Sequence, residues 1–177
     1  AWQRRADQAL SGLGVPASIV AVRSATGEVL AVSNHGTKGE NRAMEAEYPA
    51  GMAFSIISAE ALLNTGISQN TKTTCPESVN VGGRTFTNPG KTARGESTLQ
   101  MNFAHSCATT LASLSGRLNA NALIAEAGKF GLGKNWAMSV PAFSGTVPTP
   151  KNDAEKAALM LGEGVKVNPL AMALVAG

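Results

Sequence analysis

The chain has 177 residues, 44% hydrophobic and 15% charged, enough apolar material for a sizeable core and too little charge for a disordered segment. Its formal net charge is +3, and the lysines and arginines are scattered with no run of five or more, which argues against a nucleic-acid-binding surface. No window reaches the roughly 18 unbroken apolar residues that a membrane-spanning helix needs.

Residues 1–13 are predicted as an amphipathic helix with Trp2, Ala6, Ala9, Leu10 and Leu13 on one stripe, stopped by Gly12, Gly14 and Pro16. Residues 17–23 and 28–33 are β-branched apolar runs separated by S-A-T-G, a hairpin pattern, and 34–40 form a polar, Gly-rich loop. Then comes E-Y-P-A-G-M-A-F-S-I-I-S-A-E-A-L-L-N, residues 47–64. A Pro and a Gly bring the chain sharply to the start of a strong helical run, which places Met52 and Ser55 on its first turn. Phe54, Ile57 and Ala61 make its apolar face, and Gly66 can stop it in the left-handed cap conformation.

Residues 67–94 read as irregular, with T-T-C-P, V-G-G-R and T-N-P-G as turns around extended pieces at 78–81 and 84–87. Helices follow at 98–104, with Ser97 as N-cap, and at 108–118 and 120–130. After a loop over 141–150, helices at 153–161 and 169–175 complete the chain. With no internal repeat, one domain over 1–177 is expected.

Five segments stand in a telling order: T-G-E-V-L-A-V, N-R-A-M-E-A-E-Y-P-A-G-M-A-F-S-I-I-S-A-E-A-L-L, T-C-P-E, F-A-H-S-C-A-T-T-L-A-S-L and L-G-E-G-V-K-V-N-P-L-A-M-A. In order and spacing they resemble the transpeptidase domain of a class B penicillin-binding protein, within the serine acyltransferase and β-lactamase-like superfamily. The resemblance implies an α/β (α+β) fold, helix-rich, in which the hairpin begins an incomplete antiparallel sheet. It also implies a part in peptidoglycan synthesis, an extracytoplasmic place in the cell envelope, a membrane anchor in the full-length protein, and peptide stems or β-lactams as ligands. No cofactor and no metal are implied.

The departures from the family pattern bear on activity. Acyl transfer by this class uses a Ser activated by a Lys one helical turn on, because positions i and i+3 are neighbours on a helix and the amine can take the proton. By the resemblance, the nucleophile falls on Met52 and the Lys on Ser55. In the second motif Ser106 matches, Cys107 takes the variable middle place, and Ala108 stands where an Asn is expected. The K-T-G motif would follow some tens of residues after Leu170, and the last residue is Gly177, so the resemblance implies a domain truncated before that motif. Only the two hairpin strands of the sheet would then remain, needing cover from helices or another chain.

Each candidate has a plainer reading. Three and four residues after Ser55 stand Ser58 and Ala59, neither of them a base, so Ser55 reads as an ordinary helical residue and Met52 as a gap-filler. Ser106 reads as a helix N-cap, with a proton relay as the alternative. His35 and His105 lack a carboxylate or Cys at ligand spacing and read as structural. Cys75 and Cys107 fit no metal-ligand spacing, which leaves a disulfide or two thiols; the resemblance places T-C-P and H-S-C near each other around the cleft in an oxidising compartment, and so implies a bridge.

Ser55, Ser106 and Cys107 are the substrate-cleft candidates. Three functions follow: a catalytically silent homologue acting as a scaffold or binding module for cell-wall peptide or a divisome protein, an active DD-transpeptidase acylated on a Ser, or a structural module whose open sheet edge pairs with another chain or a second copy. The first accords with Met52, Ser55 and Ala108.

Overall fold

In a computed structural model that describes residues 1–177, the elements in chain order are α1 (Trp2–Leu10), β1 (Ala17–Val22), β2 (Val29–His35), α2 (Arg42–Glu45), β3 (Tyr48–Pro49), α3 (Ser55–Leu63), β4 (Lys72–Cys75), β5 (Ser78–Val81), β6 (Arg84–Thr87), β7 (Gly95–Thr98), α4 (Leu99–Ala104), α5 (Ala108–Ser113), α6 (Ala120–Lys129), α7 (Asp153–Met160), β8 (Lys166–Val167) and α8 (Pro169–Ala176). They fall into two compact units. One comprises Ala1–Tyr48, Gly128–Thr146 and Lys166–Gly177, the other Pro49–Ala127 and Val147–Val165.

The first unit is built on the expected hairpin. β1 and β2 pair antiparallel from Ala17 opposite His35 to Val22 opposite Val29, with a register irregularity between Ala21 and Val22. The Arg23 N–H donates to the Glu28 carbonyl at 2.8 Å, and Gly27 takes the φ of +71° that the turn requires. α1 lies against both strands and buries Ala6 and Leu10. Gln3 behaves like a short strand toward β2, its amide donating to the Val32 carbonyl at 2.8 Å and accepting from the Val32 N–H at 3.0 Å.

The helix is shorter than the periodicity predicts. Ser11 is already extended and Gly12 sits at φ +87°, so Leu13 leaves the stripe and is 42% exposed, while Trp2 at the first turn is 55% exposed. β2 also runs two residues into the predicted loop, and His35 there bonds the Leu13 carbonyl through Nε2 at 2.8 Å.

Ala43, Met44 and Leu170 form this unit's core with Val20, Val22, Val32 and Leu174 around them. Asn168 ties it together. Its Oδ1 caps α8 by accepting from the Ala171 N–H at 2.7 Å, and its Nδ2 donates to the carbonyls of Phe143, at 2.7 Å, and Met44. Asn168 itself is 1% exposed, so its amide bonds within the protein. Asn168→Ala should therefore cost about 2 kcal/mol, the sum of a lost cap and stranded acceptors, read as a lower urea midpoint.

The second unit contains strands where an irregular segment is predicted. β5 and β6 pair antiparallel around Gly82 and Gly83, at φ +59° and +84°, the two consecutive positive values of a tight hairpin turn. A Cβ on Gly82 would lie 2.7 Å from the Ala154 nitrogen, so the turn rests directly on the start of α7. β4 and β7 pair from Lys72 opposite Thr98 to Cys75 opposite Gly95. β5 and β6 are the extended pieces expected at 78–81 and 84–87, whereas β4 and β7 are not foreseen: K-T-T-C and G-E-S-T carry no apolar alternation, and paired residues lie twenty or more positions apart in sequence.

Phe86, Ala112, Ala157 and Ala158 form a core cluster under Val79, Val81 and Leu161, and α5 packs on α3, α7 and both strands of the second hairpin. The predicted helix at 108–118 changes after Ser113 to a 3₁₀ turn, Leu114–Arg117.

Candidate functional site

The turn into α3 is shaped by glycine. Gly51 has φ +51°, the Ala50 N–H donates to the Val165 carbonyl at 3.0 Å, and Gly162, at φ +79°, lies so close that a Cβ on it would overlap the Gly51 carbonyl oxygen. From Gly51 the chain makes a 3₁₀ turn, Gly51–Phe54, before α3 begins at Ser55. Met52 is half-buried on that turn, and Ser55 is 7% exposed as the first residue of α3. Phe54 and Ile57 are fully buried and Ala61 nearly so, which fixes how the turn is presented.

No amine, imidazole or carboxylate stands between Met52 and Ala59. Ser58 is fully buried and donates from Oγ to the Met160 carbonyl at 2.9 Å, an ordinary satisfied hydroxyl. Nothing on this stretch can take a proton from Ser55.

The second motif lies between α4 and α5. Thr98, not Ser97, caps α4 by accepting from the Met101 N–H at 3.2 Å. Ser106 is exposed and held at φ +54°, and the residue at the N-cap of α5 is Cys107, so Ser106 does not serve as the predicted cap. Ala108 opens α5 and is 5% exposed, a methyl group where an amide would offer hydrogen bonds.

Cys75, at the end of β4, and Cys107 are joined as a disulfide with Cα atoms 6.1 Å apart, and both are buried. Around it Asn88 uses its whole amide: Nδ2 donates to the carbonyls of Pro76 and Thr92, each at 2.8 Å, and Oδ1 accepts from the Thr109 N–H at 3.0 Å. Thr109 Oγ1 donates to the Pro76 carbonyl at 2.8 Å, and Thr110 Oγ1 to the Thr74 carbonyl at 2.7 Å.

In the sequence, Asn88 is legible only as part of the T-N-P-G turn. Its spacing looks the same whether the amide points to solvent or, as here, knits a turn to a helix start, so no local signal separates the two.

A cavity of about 190 Å³ opens beside this network, bordered by Cys75, Arg94, His105, Ser106 and Cys107 among others. The structure thus brings Cys75, Ser106 and Cys107 together, with Ala108 next in the chain. Met52 and Ser55 sit on their own turn in the same unit and do not line that cavity. In the first unit, a larger groove of about 500 Å³ passes Arg42, whose guanidinium is held more firmly protonated by a hydrogen bond from Nε to Glu40, at 2.8 Å.

A sequence profile of the penicillin binding protein transpeptidase domain matches residues 17–176. The chain belongs to that family. Penicillin-binding-protein transpeptidases take part in peptidoglycan synthesis. No curated protein matches the sequence.

Among solved structures, this transpeptidase-family chain is similar to penicillin-binding protein A from M. tuberculosis in its ceftriaxone acyl-enzyme complex, at 22% identity and TM-score 0.86, covering 98% of this chain and 47% of that one. It is similar to the D,D-transpeptidase domain of a peptidoglycan glycosyltransferase from Eggerthella lenta, at 22% identity and TM-score 0.87, covering 98% and 50%. It is similar also to Pseudomonas aeruginosa PBP2 in complex with WCK 5153, at 21% identity and TM-score 0.85, covering 97% and 48%. These likenesses establish the mixed helix-and-strand transpeptidase fold, and the chain spans about half the length of the structures it matches.

Proposed function

We propose that this member of the penicillin-binding-protein transpeptidase family is catalytically silent and acts as a scaffold or binding module in cell-wall synthesis, holding a peptide stem or a β-lactam without forming an acyl-enzyme. The observation that carries this reading is the turn into α3. A thioether, Met52, stands at the nucleophile position, and the residue three places on is Ser55, a hydroxyl on a stretch with no base. A thioether cannot form an acyl ester, and a serine without a paired base is a weak nucleophile. Ala108 removes, in addition, an amide that would hold substrate.

The buried disulfide supports an extracytoplasmic location, since such bridges persist in oxidising compartments. No helix is long and apolar enough to cross a membrane. Against the reading as a module that lends its sheet edge to another chain stands Gln3, whose amide already occupies the backbone N–H and C=O of Val32 on β2.

Calorimetric titration with a synthetic stem pentapeptide, followed by analysis of the peptide, tests the proposal. Saturable binding with the peptide recovered intact is the expected result. Release of the peptide's terminal residue at multiple turnovers would show an active enzyme instead.

A further inference from the structure

The cavity beside the α4–α5 turn carries a charge pattern that the acyl-transfer motifs do not explain. Arg94, His105 and Ser106 all border it, and no Asp or Glu does. Asn88, also on its wall, has its amide fully committed to Pro76, Thr92 and Thr109. Arg94 is different: its backbone N–H donates to the Cys75 carbonyl at 2.8 Å, but its guanidinium has neither an ion pair nor a hydrogen bond within the protein. The five N–H donors of this exposed, cavity-lining residue are thus left without an internal acceptor.

The backbone on both walls is unusual in the same sense. Ser106 has φ +54° on one side, and Lys91, in the turn that supplies Pro89 and Thr92 to the other, has φ +53°. Non-glycine residues in this region cost about 1 kcal/mol or more each and cluster at ligand sites. The left-handed twist at Ser106 keeps its hydroxyl exposed instead of capping α5. At about 190 Å³ the space suits one compact polar group and a short stem.

We propose that this cavity binds an oxyanion, a carboxylate or phosphate carried by a small ligand, with the Arg94 guanidinium as its main donor and His105 and Ser106 completing the ring. A planar guanidinium fork matches the paired oxygens of either group. The proposal rests on the cavity's own residues and is independent of whether Met52 and Ser55 can support acylation.

Sodium acetate and inorganic phosphate, titrated separately at constant ionic strength and followed by backbone amide NMR, test it on the whole chain. The expected result is saturable shifts at residues 92–94 and 105–107, with the anion that saturates at lower concentration identifying the preferred oxyanion. R94Q and H105Q should each weaken binding, R94Q by about tenfold, while R117Q, which removes a cation elsewhere in the same unit, leaves it unchanged. Shifts that stay linear for both anions, or that R117Q weakens as much as R94Q and H105Q do, would overturn the proposal.

Discussion

Replacing Cys75 and Cys107 together by alanine should lower the stability of the protein by about 3 to 4 kcal/mol, the chain-entropy value for a bridge spanning 32 positions. The unfolded chain gains the freedom that the cross-link withholds. The folded chain loses the covalent tie between the end of β4 and the start of α5, leaving Asn88 and Thr109 to hold that junction by hydrogen bonds alone. Each such bond contributes only about 1 kcal/mol net. Against a total stability of about 5 to 15 kcal/mol, the loss is large. Urea unfolding of wild type and C75A/C107A under non-reducing conditions measures it; equal midpoints would show that the bridge adds nothing to folding.

Phe54→Ala is expected to cost about 3 to 5 kcal/mol, the range for emptying a buried aromatic site. Phe54 is fully buried, and it lies between Met52 and Ser55 on the 3₁₀ turn that leads into α3. The site has little room to collapse, because Gly162 already approaches the Phe54 Cβ so closely that an added Cβ would stand 3.0 Å from it. Ile56→Ala, two residues on but 40% exposed, is the control and should cost about 1 kcal/mol or less. Chemical denaturation of both variants reads the contrast. A small loss at Phe54 would mean that the turn is held by its glycine contacts and not by its core anchor.

The sequence made much of this architecture readable where apolar pattern and turn chemistry coincide. The second hairpin falls on the extended pieces flanking V-G-G-R, because two glycines there can both take positive φ. Phe54, Ile57 and Ala61 are buried as their helical spacing requires, and Gly66 takes φ +90° past the end of α3. β4 and β7 stayed hidden because polar strands paired over a long sequence interval leave no periodic trace.

At the site, Met52, Ser55 and Ala108, where the resemblance implies Ser, Lys and Asn, are visible in the letters alone. The hydrogen bonds of Asn88 and the place of Arg94 on the cavity wall are not, since both depend on how the T-N-P-G turn is folded against α5. Ser106 shows the same limit from the other side. A serine one residue before a helix fits the N-cap pattern, yet its left-handed backbone gives that place to Cys107.

We propose that this member of the transpeptidase family keeps the turn for a nucleophile, with Met52 and Ser55 in place of the acylating pair. The measurement that tests it most directly is intact-protein mass spectrometry after incubation with a reactive β-lactam, with peptide mapping of any modified species. An unchanged mass is the expected result. A covalent adduct mapped to Ser55 or Ser106 would contradict it.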